Sequence, residues 1–133
     1  KDSSADLAQI ADLVSMTPPG FKVLVGSAPT LYASVCVGAS GAIVAAACVV
    51  PDAVVELFEL SRAGRHGEAL ALQRRITPLA RMVTSTYGVA GLKAAMDAVG
   101  HAGGVPRRPL LPASPEAREA IAAQLAALGI EAH

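Results

Sequence analysis

Two short apolar runs limit what this chain can become. Phe21-Lys22-Val23-Leu24-Val25 ends at Gly26-Ser27, and Gly41-Ala42-Ile43-Val44 follows a second glycine-bounded turn. Each run is too short for a helix, carries β-branched residues and shows little alternation, which predicts a buried strand. Helical patterns surround both. Leu7, Ile10, Ala11 and Val14 recur at helical spacing before Pro18-Pro19-Gly20 stops the helix. Pro29 can occupy the first turn of a helix that Gly38 closes, and Pro51 opens another that ends before Gly64. Helix, strand, helix, strand, helix with short turns is the order of parallel β/α units.

The opening residues fit that order. Ser3-Ser4-Ala5-Asp6 matches a capping box, with a hydroxyl at the cap and a carboxylate three residues on. Lys1 then falls where the C-terminal end of a preceding strand belongs. Two apolar strands and the tail of a third need neighbours at their edges, because a lone parallel pair this apolar invites aggregation. The expectation is that further strands come from residues upstream of Lys1 or from another chain, and that the sequence begins inside a longer protein.

Beyond Gly64 no strand is expected. A helix is predicted over 68–87, with Ala69, Leu72, Ile76, Leu79 and Val83 on one side and a kink at Pro78. Another is predicted over 89–99, with Leu92, Ala95, Met96 and Val99 inward. A Gly/Pro/Arg loop follows. Ser114-Pro115 then starts a last helix, with Ile121, Leu125 and Leu128 on its apolar face, and Gly129 ends it. The organisation read here is β/α units over 1–64 and a helical region over 65–133.

Composition narrows the function classes. The 133 residues are 53% hydrophobic and carry 11 basic and 11 acidic side chains, so no basic footprint for nucleic acid exists. The apolar run from Gly41 to Val50 is too short to span a bilayer. Cys36 and Cys48 lack metal-type spacing and read as buried free thiols. His66, His101 and His133 are scattered, and no metal is expected.

The order of these stretches resembles the dihydrodipicolinate synthase / N-acetylneuraminate lyase family of pyruvate-handling class I aldolases. Lys1-Asp2-Ser3-Ser4 is similar to the end of that family's sixth strand, Val23-Leu24-Val25-Gly26-Ser27 to its seventh, and Gly38 to Ile43 to the approach to its eighth. Gly64 to Ala69, Leu72 to Arg75, Pro78-Leu79, Gly88 to Lys93 and Pro109-Leu110 resemble its C-terminal helices. The resemblance implies an α/β fold: the C-terminal part of a (β/α)8 TIM barrel, comprising the end of strand six, units seven and eight, and appended helices. A whole barrel runs to about 250 residues, so the first half would be absent.

It also implies chemistry. A lysine amine that condenses with a 2-keto acid forms an iminium ion, which stabilises a carbanion at the adjacent carbon without a metal or cofactor. Lys1 is the implied Schiff-base residue. Its bland alternative is an exposed terminal lysine, the usual state of lysines. The amine must be neutral to attack, and apolar walls from Val23 to Val25 and from Ile43-Val44 are expected to lower its pKa by desolvation. Gly26 is expected where a side chain would crowd substrate, or simply at a tight turn. Ser27 has two readings, a hydrogen bond to substrate or an N-cap for the Pro29 helix. Ile43 is expected to face the site through its backbone carbonyl, with its side chain in the core. Ser3 follows the lysine closely and has two readings, facing the pocket or capping, of which capping is preferred; Cys48 is expected to be a packing variant. Tyr32 and Tyr87 lie on helices and are not taken as proton shuttles. The family's catalytic tyrosine and carboxylate-binding loop lie in the absent half.

The function implied is cleavage or formation of a C–C bond of a pyruvate-type 2-keto acid with an aldehyde, in the manner of 4-hydroxy-2-oxoglutarate aldolase. The alternative within the family is dihydrodipicolinate synthase, which condenses pyruvate with aspartate semialdehyde. Another class of reading is a non-catalytic half-barrel scaffold. A homo-oligomer, dimer or tetramer, is expected, in the cytoplasm unless an organellar signal precedes this segment.

Overall fold

A computed structural model of the chain describes residues 1–131. Among them are α1 (Leu7–Met16), β1 (Leu24–Val25), α2 (Leu31–Cys36), β2 (Gly41–Ala42), α3 (Pro51–Arg62), α4 (His66–Arg81), α5 (Gly88–Ala98) and α6 (Pro115–Ala127). Short 3₁₀ turns at Ala28–Thr30 and Ala45–Cys48 lead from each strand into α2 and α3. The chain divides into two compact units, Lys1–Arg75 and Ile76–His133, with the division inside α4. The boundary read from the sequence, at Gly64, falls earlier, between α3 and α4.

β1 and β2 pair in parallel, Leu24 opposite Gly41 and Val25 opposite Ala42. Hydrogen bonds from Ser40 N to Val23 O and from Ile43 N to Val25 O, both 2.8 Å, extend the ladder. The other edge of β1 is taken by Asp2, whose N–H donates to Leu24 O (2.8 Å) and whose carbonyl accepts from Gly26 N (2.6 Å). The strands are shorter than the apolar runs. Phe21 is 61% exposed and its N–H closes the Pro18-Pro19-Gly20 turn on Pro18 O, so it never joins the ladder.

Nor are both strand faces buried. Pleating puts successive side chains on opposite faces. Val23, Val25 and Val44 lie on one face and are buried there, while Leu24 is partly covered and Ile43 is exposed on the other. Ile10, Leu31, Ala46, Val49, Val54 and Leu57 are among the other buried residues of the first unit.

The start of α1 also differs from the sequence reading. Its N-cap is Asp6, whose carboxylate accepts from Ala8 N (2.9 Å) and Gln9 N (3.2 Å). A helix beginning at Ser3 is impossible because Ala5 takes φ +63°, the left-handed region, and breaks the right-handed path. Both cysteines are exposed, not buried: α2 turns Leu31 and Ser34 inward and leaves Cys36 outside, and Cys48 ends its 3₁₀ turn in solvent. Cys48 therefore lies outside the core.

In the second unit, the α-helical pattern continues past Pro78 to Arg81 and then widens into a π-helical turn over Met82–Thr86. Thr84 Oγ1 donates there to Ala80 O at 2.6 Å. α5 buries Gly91, Ala94 and Ala95, whereas Leu92, Met96 and Val99 are half-buried, so its inward face is the small-residue one. A Cβ on Gly91 would stand 2.8 Å from Met82 O, closer than a side chain tolerates. Lys93 Nζ donates to Gly103 O (2.6 Å), and Asp97 accepts from Gly103 N (2.9 Å) and Gly104 N (3.2 Å), anchoring the Gly/Pro/Arg loop. Ser114 caps α6 by accepting from Ala117 N at 3.2 Å, and Ile121 and Leu125 are fully buried.

Candidate active site

The site builds up from the edge of the sheet. Asp2 is held to β1 through its backbone, so alternation along residues 1–3 puts Lys1 and Ser3 on the face opposite to Asp2. That is the same face as Leu24, Gly26, Gly41 and Ile43. The contacts agree: a Cβ placed on Gly26 would lie 1.9 Å from Ser3 Oγ and 2.8 Å from Lys1 Cε. The stem of Lys1 and the hydroxyl of Ser3 therefore meet over Gly26. Glycine is needed here for close approach, since Gly26 has no left-handed backbone.

Ser27 follows at the entrance to the Ala28–Thr30 turn. It occupies the N-cap position, but its hydroxyl makes no capping bond; its carbonyl accepts from Thr30 N and Thr30 Oγ1, both at 3.3 Å. This segment is fixed from the side by Gln73, a buried amide of α4. Gln73 Nε2 donates to Ala28 O and Gln73 Oε1 accepts from Tyr32 N, each at 3.0 Å. The sequence reading missed this brace, for which an amide on an otherwise apolar helix face was the available signal.

Ile43 donates to Val25 O just past the last paired residue of β2. Its side chain is 55% exposed instead of in the core, because it stands on the face that this chain leaves bare. The structure thus brings Lys1, Ser3 and Gly26 together, with Ser27 next in sequence and Ile43 one strand away.

Two further expectations change. Ser3 lies against Gly26 and has no part in the cap of α1. The apolar wall expected around Lys1 is divided between the faces: Leu24 and Ile43 stand on the Lys1 side, whereas Val23, Val25 and Val44 are on the packed face, and Lys1 is exposed.

Elsewhere, Tyr32 Oη lies 3.2 Å from His66 Nδ1, and burial, with a smaller contribution from Cys36, raises the phenol above its ordinary pKa. Both residues are remote in sequence from the Lys1 cluster and take no part in it. A hollow of about 340 Å³ is lined by Leu24, Leu31, Val44, Val55 and Phe58 among others. It contains none of Lys1, Gly26, Ser27 and Ile43, and its lining has no titratable group, so it offers no acid–base chemistry. No group of three or more His, Cys, Asp or Glu able to hold a metal occurs among the described residues; His133 lies outside them. No helix of those residues is long and apolar enough to cross a membrane.

Comparison with known proteins gives a consistent result. A family model described as the dihydrodipicolinate synthetase family matches residues 1–128. A 4-hydroxy-tetrahydrodipicolinate synthase of Symbiobacterium thermophilum is 36% identical over 126 residues, 95% of this chain and 43% of that protein. One from Chlorobium phaeovibrioides is 33% identical over 130 residues, 98% of this chain and 44% of that protein. A dihydrodipicolinate synthase of Thermotoga maritima superposes with a TM-score of 0.90 at 27% identity, over 97% of this chain and 45% of that one. The chain spans less than half the length of these relatives.

Proposed function

Since this chain belongs to the dihydrodipicolinate synthetase family, we propose that it is the C-terminal part of a (β/α)8 barrel enzyme whose Lys1 forms a Schiff base with a pyruvate-type 2-keto acid. The observation that carries the reading is the placement of the Lys1 stem over side-chain-less Gly26, at the C-terminal end of parallel strands. That end is where barrel enzymes hold their reacting groups.

In this reading the neutral amine attacks the keto carbon, water leaves, and an iminium forms. Loss of a proton from the adjacent methyl gives an enamine, which adds to an aldehyde and makes the new C–C bond. Gly26 leaves room for the keto acid, Ser27 offers a hydrogen bond to it, and the Ile43 carbonyl faces it. Ser27 is the better candidate for that role now that its hydroxyl caps nothing. The bare face and exposed Lys1 require upstream strands to enclose the site and desolvate the amine. A homo-oligomer belongs to the same reading.

The names of the relatives support the synthase alternative, condensation of pyruvate with an aldehyde of the aspartate semialdehyde type, over a 4-hydroxy-2-oxoglutarate aldolase-like reaction. The test is reduction by borohydride in the presence of pyruvate, using the full-length protein that carries this chain. A reduced pyruvyl adduct on the Lys1 peptide is expected. A folded protein with no adduct would overturn the proposal and leave the scaffold reading.

A further inference from the structure

The connection from Lys1 to α1 is held more firmly than a surface turn requires. Ala5 sits at φ +63°, strained for any residue with a Cβ. Such strain persists where the surroundings over-determine the backbone, and it gathers at functional sites. Here one carboxylate does most of the holding. Asp2 Oδ1 accepts from Ser4 N (3.0 Å) and Ser4 Oγ (2.6 Å), and Asp2 Oδ2 accepts from Gln9 Nε2 on α1. Ser4 Oγ in turn accepts from Asp6 N at 3.1 Å, and Asp6 caps α1. The backbone of Asp2 is meanwhile bonded to Leu24 O and Gly26 N.

Strand alternation explains why this residue matters to its neighbour. Lys1 and Ser3 point to the bare face, and Asp2 points to the face where α1 begins. Asp2 is thus bound to the sheet through its backbone and to the helix through its side chain, one peptide bond from Lys1. We propose that Asp2 is the positioning residue for Lys1: it fixes the Lys1 backbone against β1 so that the amine is delivered over Gly26. This rests on Lys1 being the Schiff-base amine. Asp2 itself touches no substrate. Its carboxyl is held below the usual carboxylate range, chiefly by the Ser4 hydroxyl, so the clamp is charged throughout the neutral pH range.

The experiment measures the rate at which pyruvate and borohydride label the Lys1 peptide in the full-length protein that carries this chain, at a temperature where each variant is folded by circular dichroism. Asp2→Ala is expected to slow labelling by about 10- to 100-fold, the range for a reacting group misplaced by about 1 Å. Asp2→Asn keeps an acceptor for Ser4 and should recover part of that loss. Gln9→Ala removes one arm at an exposed helix position and should slow labelling less than Asp2→Ala does. The pH midpoint of labelling should stay at the wild-type value in Asp2→Asn, because the role is placement; a moved midpoint would show an electrostatic role and overturn the proposal.

Should Asp2→Ala not fold, wild-type rates in both Asp2→Asn and Gln9→Ala overturn it. Wild-type rates in Asp2→Ala and Asp2→Asn, with a good adduct in the wild type, sink the role of Asp2 and leave that of Lys1 standing. No adduct in the wild type removes the Schiff-base reading and this inference together.

Discussion

Val25 and Ile43 are hydrogen-bonded neighbours on adjacent strands, yet Val25 is fully buried and Ile43 is 55% exposed. The pleat sends them to opposite faces of the sheet. One face carries Val23, Val25 and Val44 into the core of the first unit. The other carries Lys1, Ser3, Gly26 and Ile43. Chain stability should therefore be sensitive on the first face, and chemistry on the second. A set of single substitutions separates the two, because each face predicts a different measurable loss.

The largest effect belongs to Lys1. Lys1→Ala should abolish the pyruvyl adduct while leaving the protein folded by circular dichroism, since the side chain takes no part in the core of the first unit. A surviving adduct on another residue would break the assignment of chemistry to this face. Gly26→Ala comes next. Its Cβ would collide with Ser3 Oγ and crowd Lys1 Cε, so labelling should fall by about 100-fold. Ser3→Gly in the same protein clears the nearer atoms and should restore part of the rate; no restoration would mean that the collision is not the cause.

On the packed face the loss is thermodynamic. Val25→Ala removes two buried carbons and leaves a cavity, costing about 2 kcal/mol in denaturant unfolding. Once the protein is folded, adduct formation at Lys1 should be nearly unchanged. A variant that loses labelling while keeping stability would show that the faces are not independent.

Much of this division was legible in the sequence, but not its sense. Glycine- and proline-bounded apolar runs located both strands and the starts of α2, α3 and α6, because those residues act locally on the backbone. The candidacy of Lys1 and Gly26 as site residues rests on resemblance in the order of short motifs. What the sequence concealed was tertiary. Val and Ile look alike in a short run, so the exposure of Ile43 depends on what covers its face and not on its own character. The capping box at Ser3 matched in composition, yet the left-handed turn at Ala5 moved the cap to Asp6. Gln73 bonds across 45 residues in sequence to Ala28, a distance at which no local pattern operates. In α5, large side chains were expected inward beside Ala95, whereas Gly91, Ala94 and Ala95 are the buried residues and close approach to the π-helical turn requires glycine at Gly91.

Ile43 gives the smallest effect and bears directly on what completes the bare face. Its exposure in this chain would make Ile43→Ala nearly neutral, within about 0.5 kcal/mol as for most surface substitutions. If upstream strands close a barrel over this face, the side chain is enclosed, and the same substitution should cost about 1 kcal/mol or more in the full-length protein. The two cases differ by more than the usual error of a denaturant midpoint comparison. A neutral result would mean that the face stays open around Lys1, and the amine would then lack the desolvation that a neutral nucleophile needs at physiological pH. A core-like cost would show the same strand position changing from bare to packed when the rest of the protein is present, and would place the source of that desolvation in the upstream half.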